Sequence, residues 1–137
     1  MPMSIIEPKY PVIILPFRKA ELYCCHLDGY HDDRKAKLFR MHDVETVFHK
    51  KPPDASFLVW YNLDESKMDG MMLEQIAGSI LRIRSHVRRI AFVGLRGISK
   101  WRFERRLKRR LKGRGNMPRA YFSDAERAKE WLVSAWE

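Results

Sequence analysis

Residues 56–63 read Ser-Phe-Leu-Val-Trp-Tyr-Asn-Leu, a nearly continuous apolar run. An apolar run of this length is typical of a central strand with both faces covered. Such strands belong to proteins in which helices pack on the two sides of a largely parallel sheet. The run therefore predicts the middle of an α/β sheet.

Strand and helix patterns alternate outward from this central run. The predicted strands are 11–17, 21–29, 56–63, 89–94 and 119–122, and the predicted helices are 32–50, 69–85, 99–112 and the segment from 123 onward. The first two strands form a hairpin across 18–20. The order β-β-α-β-α-β-α-β-α predicts one α/β domain over 1–137, with a mixed, mostly parallel five-stranded sheet, right-handed crossovers and about four helices. Residues 1–10 are expected to be a flexible N-terminus.

Polar residues at the helix starts predict where the helices begin. Asp32 and Asp33 are suited to cap the first helix, and Ser99 the third. Ser123 and Glu126 have the spacing of a capping box, with serine at the N-cap and glutamate at the third helical position.

Three stretches of this chain resemble the STAS domain, the fold of anti-sigma-factor antagonists and of sulfate-transporter tails. Residues 58–63 and 68–73 are similar to the central strand of that family and the helix start that follows it. Residues 90–95 are similar to its next strand and glycine turn, and residues 120–132 to its closing strand and helix. The resemblance implies a non-catalytic regulatory module that binds a partner protein.

The resemblance also indicates where a regulatory partner protein would dock. The expected partner-binding residues lie at the start of the second helix and are Asp64, Asp69, Gly70, Met71 and Met72. Antagonists of the family are switched by phosphorylation of a serine at this helix start. Here Met71, or Gly70 in a shifted alignment, occupies that position, so this sequence is not expected to use the phosphorylation switch.

The charge of the chain is concentrated in one segment. The net charge is +10, and 15 of the 27 Lys and Arg residues but only one of the 17 acidic residues lie in 82–119. This segment therefore carries +14 and the remainder −4. Such a basic segment attracts polyanions, whether nucleic acid, anionic lipid or an acidic protein face.

The predicted third helix carries most of these cations. Phe103, Leu107 and Leu111 form a narrow apolar stripe with Trp101 at its edge. The cations around the opposite side are Arg102, Arg105, Arg106, Arg109, Arg110 and Lys112. The candidate anion-binding residues are Arg96, Lys100, Arg102, Arg105, Arg106 and Arg109. Two interpretations stay open: a solvated surface helix, or a surface that binds nucleic-acid phosphates or acidic lipid headgroups. A third possible function, a small-molecule or lipid carrier, requires a large apolar pocket.

The remaining motifs predict no catalytic residue, metal site or cofactor. Asp64, Glu65 and Asp69 suit Mg²⁺ or, alternatively, a solvated loop in which Asp69 caps a helix. The turn at 94–97 is either a plain strand-to-helix turn or, beside Arg96 and Lys100, a phosphate or sulfate site. The histidines lack a metal-binding spacing, and adjacent Cys24 and Cys25 suit neither a disulfide nor a zinc site. With no leader or membrane-spanning run in the sequence, we expect a cytoplasmic protein.

Overall fold

The described residues form a sheet of five strands, which lie side by side in the order in which they occur in the chain. We describe residues 12–17, 20–27, 33–64, 68–115 and 117–134 of a computed structural model. The elements are β1 (Val12–Phe17), β2 (Ala20–His26), α1 (Arg34–His49), β3 (Phe57–Asn62), α2 (Gly70–Ile83), a 3₁₀ turn (Arg84–His86), β4 (Val87–Val93), α3 (Gly97–Leu111), β5 (Arg119–Phe122) and α4 (Ala125–Val133). The predicted α/β class and element order are confirmed.

The directions of the strands explain where the helices lie. β1 is antiparallel to β2 through the predicted hairpin, whereas β2, β3, β4 and β5 are mutually parallel. Each of α1, α2 and α3 connects one parallel strand to its next neighbour. Right-handed crossovers that always step in the same direction place their helices on the same face of the sheet. These three helices accordingly share one core, and α4 packs on the opposite face.

The central strand β3 is buried on both faces, as its apolar run predicts. Val59 and Tyr61 face the core beneath α1, α2 and α3, while Leu58 and Trp60 face α4. Because alternate residues point to opposite faces, a strand covered on both sides needs apolar residues at nearly every position.

Two of the predicted helix starts are wrong by one to three residues. The N-cap of α3 is Arg96 and not Ser99, because the Lys100 amide already donates to the Arg96 carbonyl at 3.4 Å. The N-cap of α4 is Asp124 and not Ser123, because the Asp124 carboxylate accepts a hydrogen bond from the Glu126 amide at 3.0 Å. The predicted capping box therefore does not form.

The other two helix starts agree with the sequence. Asp33 caps α1 and Asp69 caps α2, each through a carboxylate that accepts a backbone amide of the first turn. The predicted flexible N-terminus (1–10), the hairpin tip (18–19), the end of the second strand (28–29) and Asp32 lie outside the described residues.

A polar cluster joins α1 to α2 above the sheet. The buried Glu45 carboxylate of α1 accepts hydrogen bonds from the Ser79 hydroxyl at 2.7 Å and from the Arg82 guanidinium at 2.7 and 2.9 Å. Burial alone would raise the pKa of Glu45, but these hydrogen bonds and the charge of Arg82 outweigh burial and lower it. The cluster fixes α2, against which α3 packs.

None of the helices in the described part of the chain combines the length and the apolar character needed to cross a bilayer.

Candidate functional site

The helix α3 packs against the sheet with one side and leaves the opposite side in solvent. Phe103, Leu107 and Leu111 recur every four residues and are buried in the core, as the sequence predicts. Phe103 contacts Phe92 of β4 edge to face, with ring centroids 4.9 Å apart. Since α3 follows β4 and precedes the edge strand β5, α2 is its one helix neighbour among the described elements.

The flank of α3 that faces α2 carries two of its arginines. Arg110 Nε donates to Glu74 Oε2 of α2 at 2.6 Å, and Arg106 Nε lies 3.2 Å from Glu74 Oε1. The Arg106 guanidinium also lies over Gly70, where an added Cβ would approach its Nη2 to 3.1 Å. Arg106, predicted among the anion-binding residues, is therefore already paired with a carboxylate and only partly exposed.

The flank of α3 that faces β5 carries Glu104, the one acidic residue of this helix. Its carboxylate accepts hydrogen bonds from Arg119 Nε at 2.9 Å and Nη2 at 2.7 Å, and from the Tyr121 hydroxyl at 2.7 Å. Burial would raise the pKa of Glu104, but the hydrogen bonds from Arg119 and Tyr121 and nearby positive charge lower it. The Glu104 charge is thus directed at the edge strand and away from the solvent-facing side.

Glu104→Gln is expected to lower the free energy of unfolding at pH 7 by about 1 to 3 kcal/mol, because it leaves the Arg119 guanidinium without its counter-charge. Since the folded-state pKa lies below the unfolded value of about 4.3, the carboxylate stabilises the fold above that pH. This contribution is lost as the pH falls through the folded pKa. Urea unfolding should therefore show a smaller difference between wild type and variant at about pH 3 than at pH 7.

The matched control for this variant is Glu21→Gln, at an exposed glutamate of β2. It should change stability little at either pH. A Glu104→Gln deficit that is the same in acid and at neutrality would contradict the role given to the ionised carboxylate.

The solvent-facing side of α3 is named here the outer face. It consists of Ile98, Trp101, Arg102, Arg105, Lys108, Arg109 and Lys112, all of which are exposed. The Arg105 guanidinium lies over the Trp101 ring, 4.8 Å from its centroid. In the described part of the chain, no carboxylate forms an ion pair with the five cations of the outer face.

Arg96 and Lys100 lie at the start of α3, at the edge of the sheet where the parallel strands end. Both side chains are exposed, but Lys100 follows a different direction around the helix from the outer face. The N-cap residue Arg96 makes no side-chain capping hydrogen bond, and the first turn of α3 contains no acidic residue. The two cations therefore extend the positive charge of α3 to the end of the sheet.

The corner predicted to bind a regulatory protein is mostly engaged in the fold. Asp69 caps α2 and forms an ion pair with Arg34 of α1. The pKa of Asp69 is lowered, chiefly by the hydrogen bond that its carboxylate accepts from the Met72 amide. Met72 is 1% exposed, which corrects the expectation that it contacts a partner, since its side chain packs in the core. Asp64 packs closely against Gly94 in the turn after β4, where an added Cβ would lie 2.7 Å from the Asp64 backbone nitrogen.

Met71 is 59% exposed, and unlike Met72 its side chain lies outside the core. Its sulfur accepts a hydrogen bond from Arg34 Nη1 at 3.3 Å. Glu65, the third carboxylate of the possible magnesium site, lies outside the described residues. Within the described residues, no group of three or more histidine, cysteine or acidic side chains is arranged to hold a metal ion.

The two cysteines are both buried, because β2 is covered on both faces. Cys25 faces the core beneath the three helices, and Cys24 faces α4. Burial raises the pKa of the Cys25 thiol well above its usual range, which suppresses the reactive thiolate. Cys24 Sγ lies 3.4 Å from Nε2 of His26, the next residue on the same face of the strand.

Three residues that define the site are absent from the sequence-based predictions. Ile98 and Lys108 belong to the outer face, and their positions opposite the apolar stripe could have shown this. Glu74 determines which arginines of α3 are paired, and no local pattern in the sequence marks it, because its partners lie more than 30 positions away.

Comparison of the chain with protein-family models, with curated proteins and with solved structures finds no match.

Proposed function

We propose that the protein is a non-catalytic binding module that holds a polyanion on the outer face of α3. One observation carries the proposal: five exposed cations share one face of α3 and form no ion pair with a carboxylate of the described residues. The nearby carboxylates lie on the flanks, where Glu74 pairs with two arginines of α3 and Glu104 pairs with Arg119. Cations that no carboxylate neutralises raise the local concentration of polyanions and release counterions when they meet phosphates.

The packing of α3 suits it to present these charges in a fixed arrangement. Its apolar stripe is buried against β4, and the ion pairs of Glu74 and Glu104 hold both flanks. A ligand therefore meets cations whose backbone positions are already set, which lowers the ordering cost of binding. The outer cations themselves remain on mobile side chains that can adapt to the spacing of the anionic groups.

The resemblance to STAS domains is part of the same proposal. It is supported by the order of strands and helices and by the stretches 58–63, 68–73, 90–95 and 120–132. In STAS-like modules the function is binding and not a chemical reaction, which agrees with a module of this kind. Docking of a regulatory protein at the corner around Met71 is the weaker candidate, because Asp69 and Met72 already serve the fold.

Salt dependence tests the polyanion proposal. Affinity for a fluorescein-labelled single-stranded oligonucleotide, measured by anisotropy, should fall linearly on a plot of log affinity against log salt. If all five outer cations contact phosphates, the slope reaches about −3.5, which is ~100-fold weaker binding at 200 mM than at 50 mM salt. Binding that does not respond to salt, or the absence of binding at 50 mM salt, would contradict the proposal.

A further inference from the structure

We infer that the polyanion is an unpaired strand of nucleic acid, with a base stacked on Trp101 and successive phosphates on the outer cations of α3. The inference rests on the proposed function and specifies its ligand. It starts from the position of an exposed tryptophan at one end of a row of cations that form no ion pair with a carboxylate of the described residues.

The Trp101 ring is available to a ligand. It is 58% exposed, on the same side of α3 as Arg102 and Arg105, and the Arg105 guanidinium lies 4.8 Å from its centroid. An indole with an arginine beside it offers both a surface for stacking and a positive charge, the combination that proteins use to hold unpaired bases. Every base has a π-face, so this contact needs no particular sequence.

The row of cations has the length of a few nucleotides. From Arg102 to Lys112 a helix rises ~15 Å, at about 1.5 Å per residue. One strand of nucleic acid carries a phosphate about every 3.4 Å along a stacked axis. The row therefore faces about four phosphates, close to the number of outer cations. Three of the five are arginines, whose planar guanidinium groups bind phosphate oxygens in pairs.

A membrane surface fits the outer face less well. A helix that lies on a bilayer buries its apolar side among the lipids, but Phe103, Leu107 and Leu111 of α3 are committed to the protein core. Only Ile98 and Trp101 remain as apolar residues on the outer face, both at one end of the helix. Electrostatic attraction without an apolar side gives no reason for an exposed tryptophan.

A nucleic-acid duplex also leaves Trp101 without a role. The bases of a duplex are stacked on one another, so an indole on a protein surface reaches their faces only where the strand is unpaired. The phosphates of a duplex would still attract the outer cations. The contribution of Trp101 therefore distinguishes an unpaired strand from a duplex.

The test compares strands with and without bases. Wild-type protein is titrated with a labelled oligothymidylate of about twelve nucleotides and with an abasic strand of the same length, which keeps every phosphate. Wild type should bind the thymidylate strand ~5- to 150-fold more tightly than the abasic strand. Trp101→Ala should remove this preference, because it removes the surface on which a base stacks.

Two further variants keep the result interpretable. Phe39→Ala removes another exposed aromatic side chain, on α1, and should preserve the preference of the wild type for bases. Trp101→Leu retains apolar volume without an aromatic ring, and it should lose the preference as Trp101→Ala does. An oligouridylate arm should match the thymidylate arm within about tenfold, because stacking and phosphate contact do not depend on the 2′-hydroxyl.

The outcomes separate the inference from the proposed function. Equal, salt-sensitive binding of the thymidylate and abasic strands overturns the inference but leaves polyanion binding intact. Tighter binding of a duplex, or of phosphatidylserine vesicles, overturns it in favour of that ligand. A difference in affinity of well over tenfold between the oligouridylate and the oligothymidylate would also overturn the inference. If none of these probes binds in a salt-sensitive manner, the proposed function itself fails.

Discussion

Arg105→Glu/Arg109→Glu is expected to lower affinity for a single-stranded oligonucleotide on the order of 100-fold at 50 mM salt. The double variant changes the outer face from five positive charges to a net charge of +1. It removes two phosphate contacts from the middle of the row and replaces them with repulsion. The salt dependence should become shallower as well, since fewer counterions are released on binding.

A charge-matched control separates this face from the charge of the whole protein. Lys35→Glu/Arg127→Glu makes the same change of four charges at exposed positions, one on α1 and one on α4. Long-range attraction by net charge would weaken equally in both double variants. We expect the control to retain most of the affinity, because charges more than about 14 Å apart are largely screened at 50 mM salt. Equal losses in the two variants would show that α3 is not the binding face.

The folds of both double variants should be intact. All four substituted side chains are exposed, and none forms an ion pair within the described residues. Surface substitutions away from caps and buried networks change stability by only about 0.5 kcal/mol. Circular dichroism and urea unfolding should therefore coincide with those of wild type, so that a loss of binding reports on the ligand contact.

The fold was predictable from the sequence because burial leaves a pattern in it. Residues 56–63 are apolar at nearly every position, since β3 has helices on both faces. The spacing of Phe103, Leu107 and Leu111 showed which side of α3 is buried. Helix ends were less predictable. Ser99 and Ser123 are good caps locally, but the first hydrogen bonds form at Arg96 and Asp124.

The candidate site was predictable only in part. The sequence showed that α3 is basic. Arg105 and Arg106, however, are adjacent residues of the same type with different roles. Arg106 turns toward Glu74 of α2, whereas Arg105 lies over Trp101 in solvent. A step of about 100° around a helix separates them, and the carboxylate that pairs with one of them comes from a distant part of the chain. Helical periodicity gives the direction of a side chain but not the group it meets.

Gly94→Ala is expected to lower the free energy of unfolding by about 3 to 5 kcal/mol, equivalent to a fall in Tm of ~10 to 20 °C. Gly94 links β4 to the turn before α3 with φ of +103°, a conformation that L side chains rarely adopt. A Cβ there would lie 2.7 Å from the backbone nitrogen of Asp64 and 2.9 Å from the carbonyl carbon of Leu63. Both are backbone atoms at the end of β3, so neither can rotate away.

The matched control for Gly94→Ala is Gly113→Ala. Gly113 follows α3 with φ of +76°, but a Cβ there would meet no atom within 4 Å. Its substitution carries the conformational cost alone, about 1 kcal/mol. Urea unfolding of the two variants therefore measures the effect of the close approach between the ends of β3 and β4. Equal losses would contradict the steric explanation.

A third variant tests whether the side chain or the backbone of Asp64 causes the clash with the added Cβ. The Asp64 Oδ1 atom also lies 2.8 Å from the position of the added Cβ. If the side chain caused the clash, Asp64→Ala would restore stability to Gly94→Ala. We expect no substantial rescue, because the backbone atoms of Leu63 and Asp64 remain in place. Since Leu63 donates its amide to the Val93 carbonyl at 2.8 Å, the strands cannot separate at this point without breaking the sheet. The alanine must therefore displace the turn that leads into α3, and the loss of stability should come with weaker polyanion binding.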